Sequence, residues 1–251
     1  MQKLALSEIQ DIEMSILDEI ENVCAKLGIH YFLAYGSLLG AARHEGFIPW
    51  DDDMDIFMMR ADYEKLVDNF DRLTDDPRLR MRHYRDGVSN LSCARVVRTD
   101  THVDMRFVKE KYAIGLWVDI FPLDFIPAEK PPLLLKEKAF FLARVFATSI
   151  PAPERPSWQN TLLKLTSLSF SRVDPVKLSA KLDQAAACHS ATPSDYLCDI
   201  SGEPEHPRCY KREWFEPAKL PFGDRVYSVP SSYENALDVS YGDWQTLPPE
   251  N

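Results

Sequence analysis

No uninterrupted apolar run of about 18 residues exists in this sequence, so no segment has the length that a membrane-spanning helix requires. The N-terminal segment also lacks the apolar centre of a signal peptide, because acidic residues interrupt it. Basic residues are scarce relative to acidic ones, 29 against 39, and the formal net charge of −10 argues against a general nucleic-acid binder. We expect a cytoplasmic protein with no nucleic-acid partner and no transmembrane segment, and peripheral membrane association stays open.

The five cysteines are odd in number, irregularly spaced and without a Cys-x-x-Cys pair. This pattern favours reduced cytosolic thiols over a disulfide framework. The alternative is a zinc site built from Cys188, Cys198 and Cys209 with His189 and His206 nearby, although the spacing fits no standard zinc pattern.

Hydrophobic periodicity predicts alternating helices and strands in the first part of the chain. Ser7 and Gln10 form a capping-box pattern, apolar residues then recur at helical spacing, and Gly28 fits the end of that helix. The elements expected next are a strand at 29–35, a short helix at 38–43, a loop at 44–52, a strand at 53–58 and a helix with Tyr63, Leu66, Val67 and Phe70 on one face.

The later segments change character. Strands are expected at 79–84, 92–98, 101–108 and 116–121, and Pro122 is expected to end the last one because proline cannot donate to a ladder. The pattern is helical over 131–189, with a proline-rich break at 150–157, and irregular after 191 except for a helix near 231–240. This order predicts an α+β fold with a mixed-sheet core (1–130), a helical lobe (131–190) and an irregular C-terminal arm (191–251), packed as one compact unit.

A run of acidic residues, Asp51 to Asp53 and then Asp55, leads directly into an apolar strand. Residues two apart on a strand share a face, so Asp53 and Asp55 are expected to point together. Neighbouring carboxylates repel each other, and Mg²⁺ prefers such hard oxygen ligands. A solvated loop is the plainer alternative, but exposed loops do not usually continue into so apolar a strand. The run therefore predicts a magnesium site.

Two further features support a site at this place. Asp119 stands alone in the apolar stretch 116–121, where a carboxylate is costly unless a metal or a cation pairs with it. Gly36 and Ser37 lie between a predicted strand and a helix, where the backbone and a hydroxyl group can bind a phosphate. Taken alone, each has a plainer alternative, namely a satisfied core aspartate and an ordinary strand-to-helix turn.

The segment 34–56 resembles the signature of the LicD family, which is also similar to fukutin and fukutin-related protein, and its sequence is AYGSLLGAARHEGFIPWDDDMDI. The segment 117–124, WVDIFPLD, is similar to the second block of the family. Shorter matches follow at Trp214-Phe215, Leu220-Pro221-Phe222 and Tyr241-Gly242-Asp243-Trp244. No motif of the family is matched between 130 and 190.

The resemblance implies a nucleotidyltransferase-type core, in which Gly36-Ser37 precedes a strand with Asp53 and Asp55 and a later strand supplies Asp119. These three aspartates are then the catalytic residues and the ligands of Mg²⁺, with Mn²⁺ as an alternative, and Asp119 also accepts a proton. LicD-like proteins transfer phosphocholine from CDP-choline to a cell-surface glycan or its precursor, and fukutin-like relatives transfer ribitol phosphate from CDP-ribitol. The resemblance implies a transferase with a CDP-alcohol donor, a glycan or glycolipid acceptor and CMP as the leaving group.

The other candidates are residues for substrate binding around these acids. Cations expected near the phosphates are Arg43 and Arg95, with Arg98 on the same strand face as Arg95. Aromatic candidates for a choline ammonium are Tyr35, Trp50, Trp117, Tyr241 and Trp244, with Asp243 as a counter-charge. The roles left open are those of Asp51 and Asp52 as outer ligands, of Asp124 at the site or as the cap of a turn, and of His44 and Glu45 as lining residues.

Two other functions stay open. A nucleotidyltransferase that passes a nucleoside monophosphate to a small-molecule or sugar acceptor would use the same acids. A catalytically inactive binding module of glycan assembly would have a broken acidic set, whereas all three acidic positions are filled here.

Overall fold

A computed structural model gives the fold and describes residues 3–105, 109, 112, 114–129, 133–151, 156–170, 172–202 and 204–247. The helices are α1 (Leu6–Leu27), α2 (Tyr35–His44), α3 (Arg60–Leu73), α4 (Leu135–Thr148), α5 (Ser157–Phe170), α6 (Pro175–His189) and α7 (Tyr233–Tyr241). The strands are β1 (Phe32–Leu33), β2 (Met54–Met59), β3 (Leu79–Arg82), β4 (Ala94–Arg98), β5 (Trp117–Ile126), β6 (Tyr196–Cys198), β7 (Cys209–Lys211), β8 (Pro217–Phe222) and β9 (Arg225–Pro230).

The main sheet is mixed, with the strand order β1-β2-β5-β4-β3. Strands β2 and β5 run parallel, whereas β4 pairs with β5 in the antiparallel sense and β6 and β7 extend the far end of β5. Strands β8 and β9 form a separate hairpin. The predicted α+β class is confirmed, and the chain after 191 contains more regular structure than the irregular arm predicted there.

Helix α1 covers the sheet with the apolar face that its period predicts. Ile16, Ile20 and Val23 are fully buried, and each such side chain contributes roughly 1.5–3 kcal/mol of transfer free energy. The helix ends at Gly28, whose φ of +64° is the left-handed conformation that glycine adopts without a steric penalty. The predicted cap at Ser7 is wrong, because the helix has already begun at Leu6 and the carboxylate of Glu8 accepts a 2.7 Å hydrogen bond from the Ala5 N–H instead.

Strand β5 is longer than its sequence predicts, because Pro122 does not end it. On one edge of β5, β4 pairs as far as Ile120 and β6 begins at Asp124. Pro122 lies in the gap between these two partners, so its missing N–H costs no bond on that edge. The strand predicted at 101–108 is absent from residues 101–105, and 106–108 lie outside the described residues.

The helical lobe contains α4, α5 and α6. The break predicted at 150–157 is confirmed, since α4 ends at Thr148 and α5 begins at Ser157. Within the described part of the chain, no helix is long and apolar enough to cross a bilayer.

A buried ion-pair network joins the lobe to the core. Arg60, the first residue of α3, donates from Nε and Nη2 to Asp124 at 2.7 and 2.6 Å, and from Nη1 to Asp183 of α6 at 2.7 Å. Asp124 is fully buried within β5 and therefore does not cap a turn. Buried charges of this kind are stable only when paired, so the network fixes α6 against the core.

Candidate active site

A cavity of about 660 Å³ opens where the parallel strands β2 and β5 begin. Its walls come from the start of α2, the loop before β2, strands β4 and β5, and the inner face of α4. The site therefore receives side chains from both the sheet core and the helical lobe. The predicted residues that line it are Gly36, Trp50, Asp53, Asp55, Arg95, Asp119 and Tyr241, together with Tyr35 and Asp51.

The three predicted acids lie together because of strand register. Asp55 and Asp119 are direct partners in the parallel ladder, and Asp53 precedes Asp55 by two residues on the same wall. Asp51, Asp52 and Asp53 also have ligand oxygens that all lie within 4.8 Å of one another. The structure thus places three carboxylates of the loop closely enough for a shared cation, and it places Asp55 and Asp119 on the wall of the same cavity.

This crowding has an electrostatic cost. Burial first, and the neighbouring acids second, raise the pKa of Asp53 to about 7 and hold the pKa of Asp55 well above its ordinary value. Glu13 of α1 is buried beside them, and the same causes raise its pKa to about 10. Its Oε2 has no hydrogen-bond partner among the described residues. A divalent cation bound at the aspartates would offset the repulsion that raises these pKa values.

Asp119 is already engaged by other residues. Arg95 is its cross-strand neighbour and donates to both carboxylate oxygens, at 2.5 and 3.0 Å, and the Trp117 indole N–H donates to Oδ2 at 2.7 Å. The Arg95 guanidinium lies 4.3 Å from the centre of the Trp117 ring. Arg95, which the sequence places near the phosphates, thus forms an ion pair with Asp119 and packs on the Trp117 ring.

Gly36 and Ser37 contact two of the acids, Asp51 and Asp55. Ser37 is buried, and its Oγ accepts a 2.8 Å hydrogen bond from the Asp55 N–H, so it positions β2 and does not line the cavity. A Cβ at Gly36 would lie 2.8 Å from Asp51 Oδ2, so only glycine leaves room for that carboxylate. Tyr35, just before them, has a φ of +41°, a conformation that costs a non-glycine residue energy and that occurs mainly at functional sites.

Two cations of the cavity, Arg144 of α4 and Arg208, were not predicted from the sequence. Arg144 donates from Nη1 to the Asn90 carbonyl at 3.4 Å, but its buried Nε has no hydrogen-bond partner among the described residues. Burial lowers the pKa of Arg144. The Arg208 guanidinium lies 4.6 Å from the centre of the Tyr35 ring, whose hydroxyl donates to Asp199 at 2.6 Å.

Several predicted residues lie away from the cavity. Arg43 donates to the Trp244 carbonyl at 3.1 Å and to His44, Asp243 accepts from Thr246 at 2.7 Å, and Trp244 is packed in the core. Arg98 pairs with Asp100. These contacts assign structural roles to the C-terminal block, apart from Tyr241, which lines the cavity.

The cysteines give no support to a zinc site. Cys198 and Cys209 are cross-strand partners with their sulfur atoms 3.8 Å apart, but Cys188 is exposed on α6. Among the described residues, the only cluster of potential metal ligands is the one formed by Asp51, Asp52 and Asp53.

Comparison with known proteins agrees with this geometry. Residues 28–135 match the family model described as LicD/FKTN/FKRP, nucleotidyltransferase domain. The whole chain is 30% identical over 260 residues to the lipopolysaccharide cholinephosphotransferase LicD of Haemophilus influenzae, and the alignment covers 95% of that protein. The chain belongs to the LicD family. Within this family it is a transferase, as its sequence predicts.

Two further proteins are similar to shorter parts of this chain. An uncharacterized protein of Rickettsia typhi is 36% identical over 75 residues, which is 29% of this chain and 23% of that protein. An uncharacterized protein of Rickettsia prowazekii is 36% identical over 61 residues, 23% of each chain.

Proposed function

We propose that this LicD-family transferase moves phosphocholine from CDP-choline to a hydroxyl group of a cell-surface glycan or its precursor and releases CMP. The full-length similarity to a lipopolysaccharide cholinephosphotransferase supports the choice of group and acceptor class. The observation that carries the proposal is one cavity with both carboxylates for a metal and guanidinium groups for phosphates.

A divalent cation, Mg²⁺ with Mn²⁺ as the alternative, would be held by Asp53 and Asp55 with Asp119 as the third ligand. When bound, it would neutralise charge on the donor phosphates. Arg95 and Trp117 use three of the about four acceptor positions of the Asp119 carboxylate, and the Cys93 thiol donates to Oδ1 at 3.9 Å. To serve as the third ligand, Asp119 would exchange one of these contacts, of which the thiol contact is the weakest. Ser37 and Arg95 then serve as positioning residues, since one fixes the backbone of Asp55 and the other fixes the carboxylate of Asp119.

In the proposed reaction, an acceptor oxygen attacks the β-phosphorus, an O–P bond forms there, and the bond to the oxygen of CMP breaks. The hydroxyl proton needs an acceptor in the cavity. Asp119, the acceptor expected from the sequence, already accepts hydrogen bonds from Arg95 and Trp117. Asp51 fits this role better, because it lines the cavity and burial raises its pKa.

The chain also offers groups for the two ends of phosphocholine. Arg144 has an unpaired Nε at the cavity wall, which suits an oxygen of the donor diphosphate. A quaternary ammonium needs aromatic faces. Arg208 already lies over Tyr35, so the exposed rings of Trp50 and Tyr241 are the proposed choline contacts.

A screen of CDP-alcohols tests the function. The purified protein is incubated with Mg²⁺, a lipopolysaccharide-type acceptor and CDP-choline, CDP-ribitol or CTP, and both products are analysed. We expect CMP release and a phosphocholine-labelled acceptor with CDP-choline. Transfer of CMP itself from CTP would establish the nucleotidyltransferase alternative, and no turnover with any donor would support the inactive binding module.

A further inference from the structure

Helix α5 carries an apolar stripe on its solvent side. Trp158, Leu162 and Leu165 are 67%, 40% and 74% exposed, and their spacing of four and then three residues places them on one face of the helix. Leu163, on the other side, is buried. The helix is therefore apolar on its inner face and also on part of its outer face, and an outer apolar stripe is costly in water unless something covers it.

Helix α4 repeats this arrangement. Leu135 and Leu142, two turns apart, are both exposed, and Leu133 just before the helix is exposed as well. The other side of the same helix carries Phe141 and Arg144, which line the candidate active site. One helix thus connects the catalytic cavity with an exposed apolar surface.

The exposed charges of the helical lobe are mostly basic, although the chain as a whole has a formal net charge of −10. In the described part of the helical lobe, Asp174 is the only exposed acid, whereas five cations are exposed. These cations are Lys136, Lys164, Arg172, Lys177 and Lys181. The acids Glu137 and Asp183 are buried, so they contribute little to the outer field.

We propose that the outer face of the helical lobe docks on a bilayer that contains anionic lipids. Exposed Trp and Leu with surrounding Lys and Arg are the composition of helices that lie in the plane of a membrane interface. The leucines and Trp158 would enter the boundary of the acyl chains, while the cations approach the lipid phosphates. The excess of exposed cations over exposed acids in the lobe favours an anionic partner, because a neutral apolar partner would not require those cations.

Docking in this way would hold the catalytic cavity near the membrane surface. Arg144 and the exposed leucines share α4, so the distance between the cavity and the bilayer is about the diameter of one helix. A glycan acceptor with a lipid anchor would then meet the cavity without leaving the membrane. This consequence rests on the proposed function, whereas the membrane binding itself does not.

Vesicle flotation tests the proposal without substrate. The full chain is mixed with phosphatidylcholine vesicles, or with vesicles in which about a third of the lipid is phosphatidylglycerol, at low and high salt. We expect binding to the anionic vesicles alone, and weaker binding at high salt. The double variant Leu162→Glu/Leu165→Glu should bind at least about tenfold more weakly, since it loses apolar burial and adds negative charge. Lys177→Gln/Lys181→Gln should lose up to about fivefold for each lysine.

The control Val226→Glu/Leu247→Glu adds the same charge at exposed apolar positions outside the lobe. This control should bind the vesicles as strongly as the unmodified protein does. All variants should have the same unfolding temperature as the unmodified protein. Equal binding to both vesicle types, no binding at low salt, or equal loss in the control would overturn the proposal. A dimer in light scattering that only Leu162→Glu/Leu165→Glu dissociates, without lipid binding, would show that a second copy covers the stripe.

Discussion

The sheet core supplies the acids of the cavity, whereas the helical lobe supplies a cation to it. The core supplies Asp51, Asp53 and Asp55 from one loop and one strand, whereas the lobe supplies Arg144 and carries its exposed lysines on the outside. Burial and then the neighbouring acids raise the pKa of Asp53, and the Nε of Arg144 has no hydrogen-bond partner among the described residues. The proposed complex of a metal ion with the donor diphosphate would balance both sides.

The largest effect is expected when the acidic side is broken. Asp53→Asn and Asp55→Asn remove ligands of the proposed metal and should lower kcat/KM about a thousandfold or more. Asp104→Asn, at an exposed position away from the cavity, should keep full activity. The measurement is Mg²⁺-dependent CMP release by proteins of equal unfolding temperature. Near-normal turnover by either cavity variant would refute the metal-site assignment.

Loss of the buried ion-pair network between the core and the lobe should lower the free energy of unfolding more than it lowers activity. Asp124→Asn removes a fully buried partner of Arg60 and should cost about 3–5 kcal/mol of unfolding free energy. Asp75→Asn breaks the exposed ion pair with Lys26 and should cost far less, because solvent screens that pair. Urea denaturation followed by circular dichroism compares the two, and equal losses would show that the buried network is not what fixes the lobe.

The basic side is tested at Arg144. Arg144→Ala removes a charged donor to the diphosphate and should lower kcat/KM by about tenfold to a hundredfold. Arg144→Lys should recover part of that loss, because the charge returns without the planar donor set. Lys136→Ala, on the exposed side of the same helix, is the matched control in the absence of membranes. Donor affinity measured by calorimetry should follow the same order, and unchanged affinity in Arg144→Ala would contradict the role.

The smallest expected effect is the change of stability with pH that the acids of the core cause. The pKa of Asp53 is raised from 3.8 to about 7 in the metal-free fold, so folding favours its protonated form. That contribution to stability is present below about 3.8 and is lost as the pH rises through about 7. The unfolding temperature with a chelator should therefore fall over this range, and the gain from Mg²⁺ should grow with pH. Asp53→Asn should flatten both trends, and a gain independent of pH would exclude Asp53 as a ligand.

Local sequence patterns predicted the end of α1 and the buried helix faces, because these depend on backbone conformation and on the helical period. Gly28 ends α1 because its left-handed backbone suits glycine, and α3 buries Tyr63, Leu66 and Phe70 because of the helical period. Strand β5 continues past Pro122 because its neighbour on one edge changes there from β4 to β6. This change depends on the tertiary structure, so the local sequence pattern could not predict it.

The site shows the same division. Asp53, Asp55 and Asp119 could be predicted because strand alternation and one costly isolated acid are visible in the sequence. Arg144 comes from a segment without a matched motif, and only packing of α4 brings it to the cavity. A single arginine in the apolar stretch AFFLARVFAT of α4 was the available signal, since it raises the same question of pairing as Asp119 does.

The Arg60 network also decides how the chain can be divided. A shortened protein without the helical lobe would lose Asp183 and leave Arg60 and Asp124 facing solvent or an unfilled gap. Excision of the lobe would therefore have to replace both residues with an apolar pair, and transfer of the lobe to another scaffold would require an arginine at the equivalent place. Removal of the lobe should therefore destabilise the core, because Arg60 would lose its buried partner Asp183.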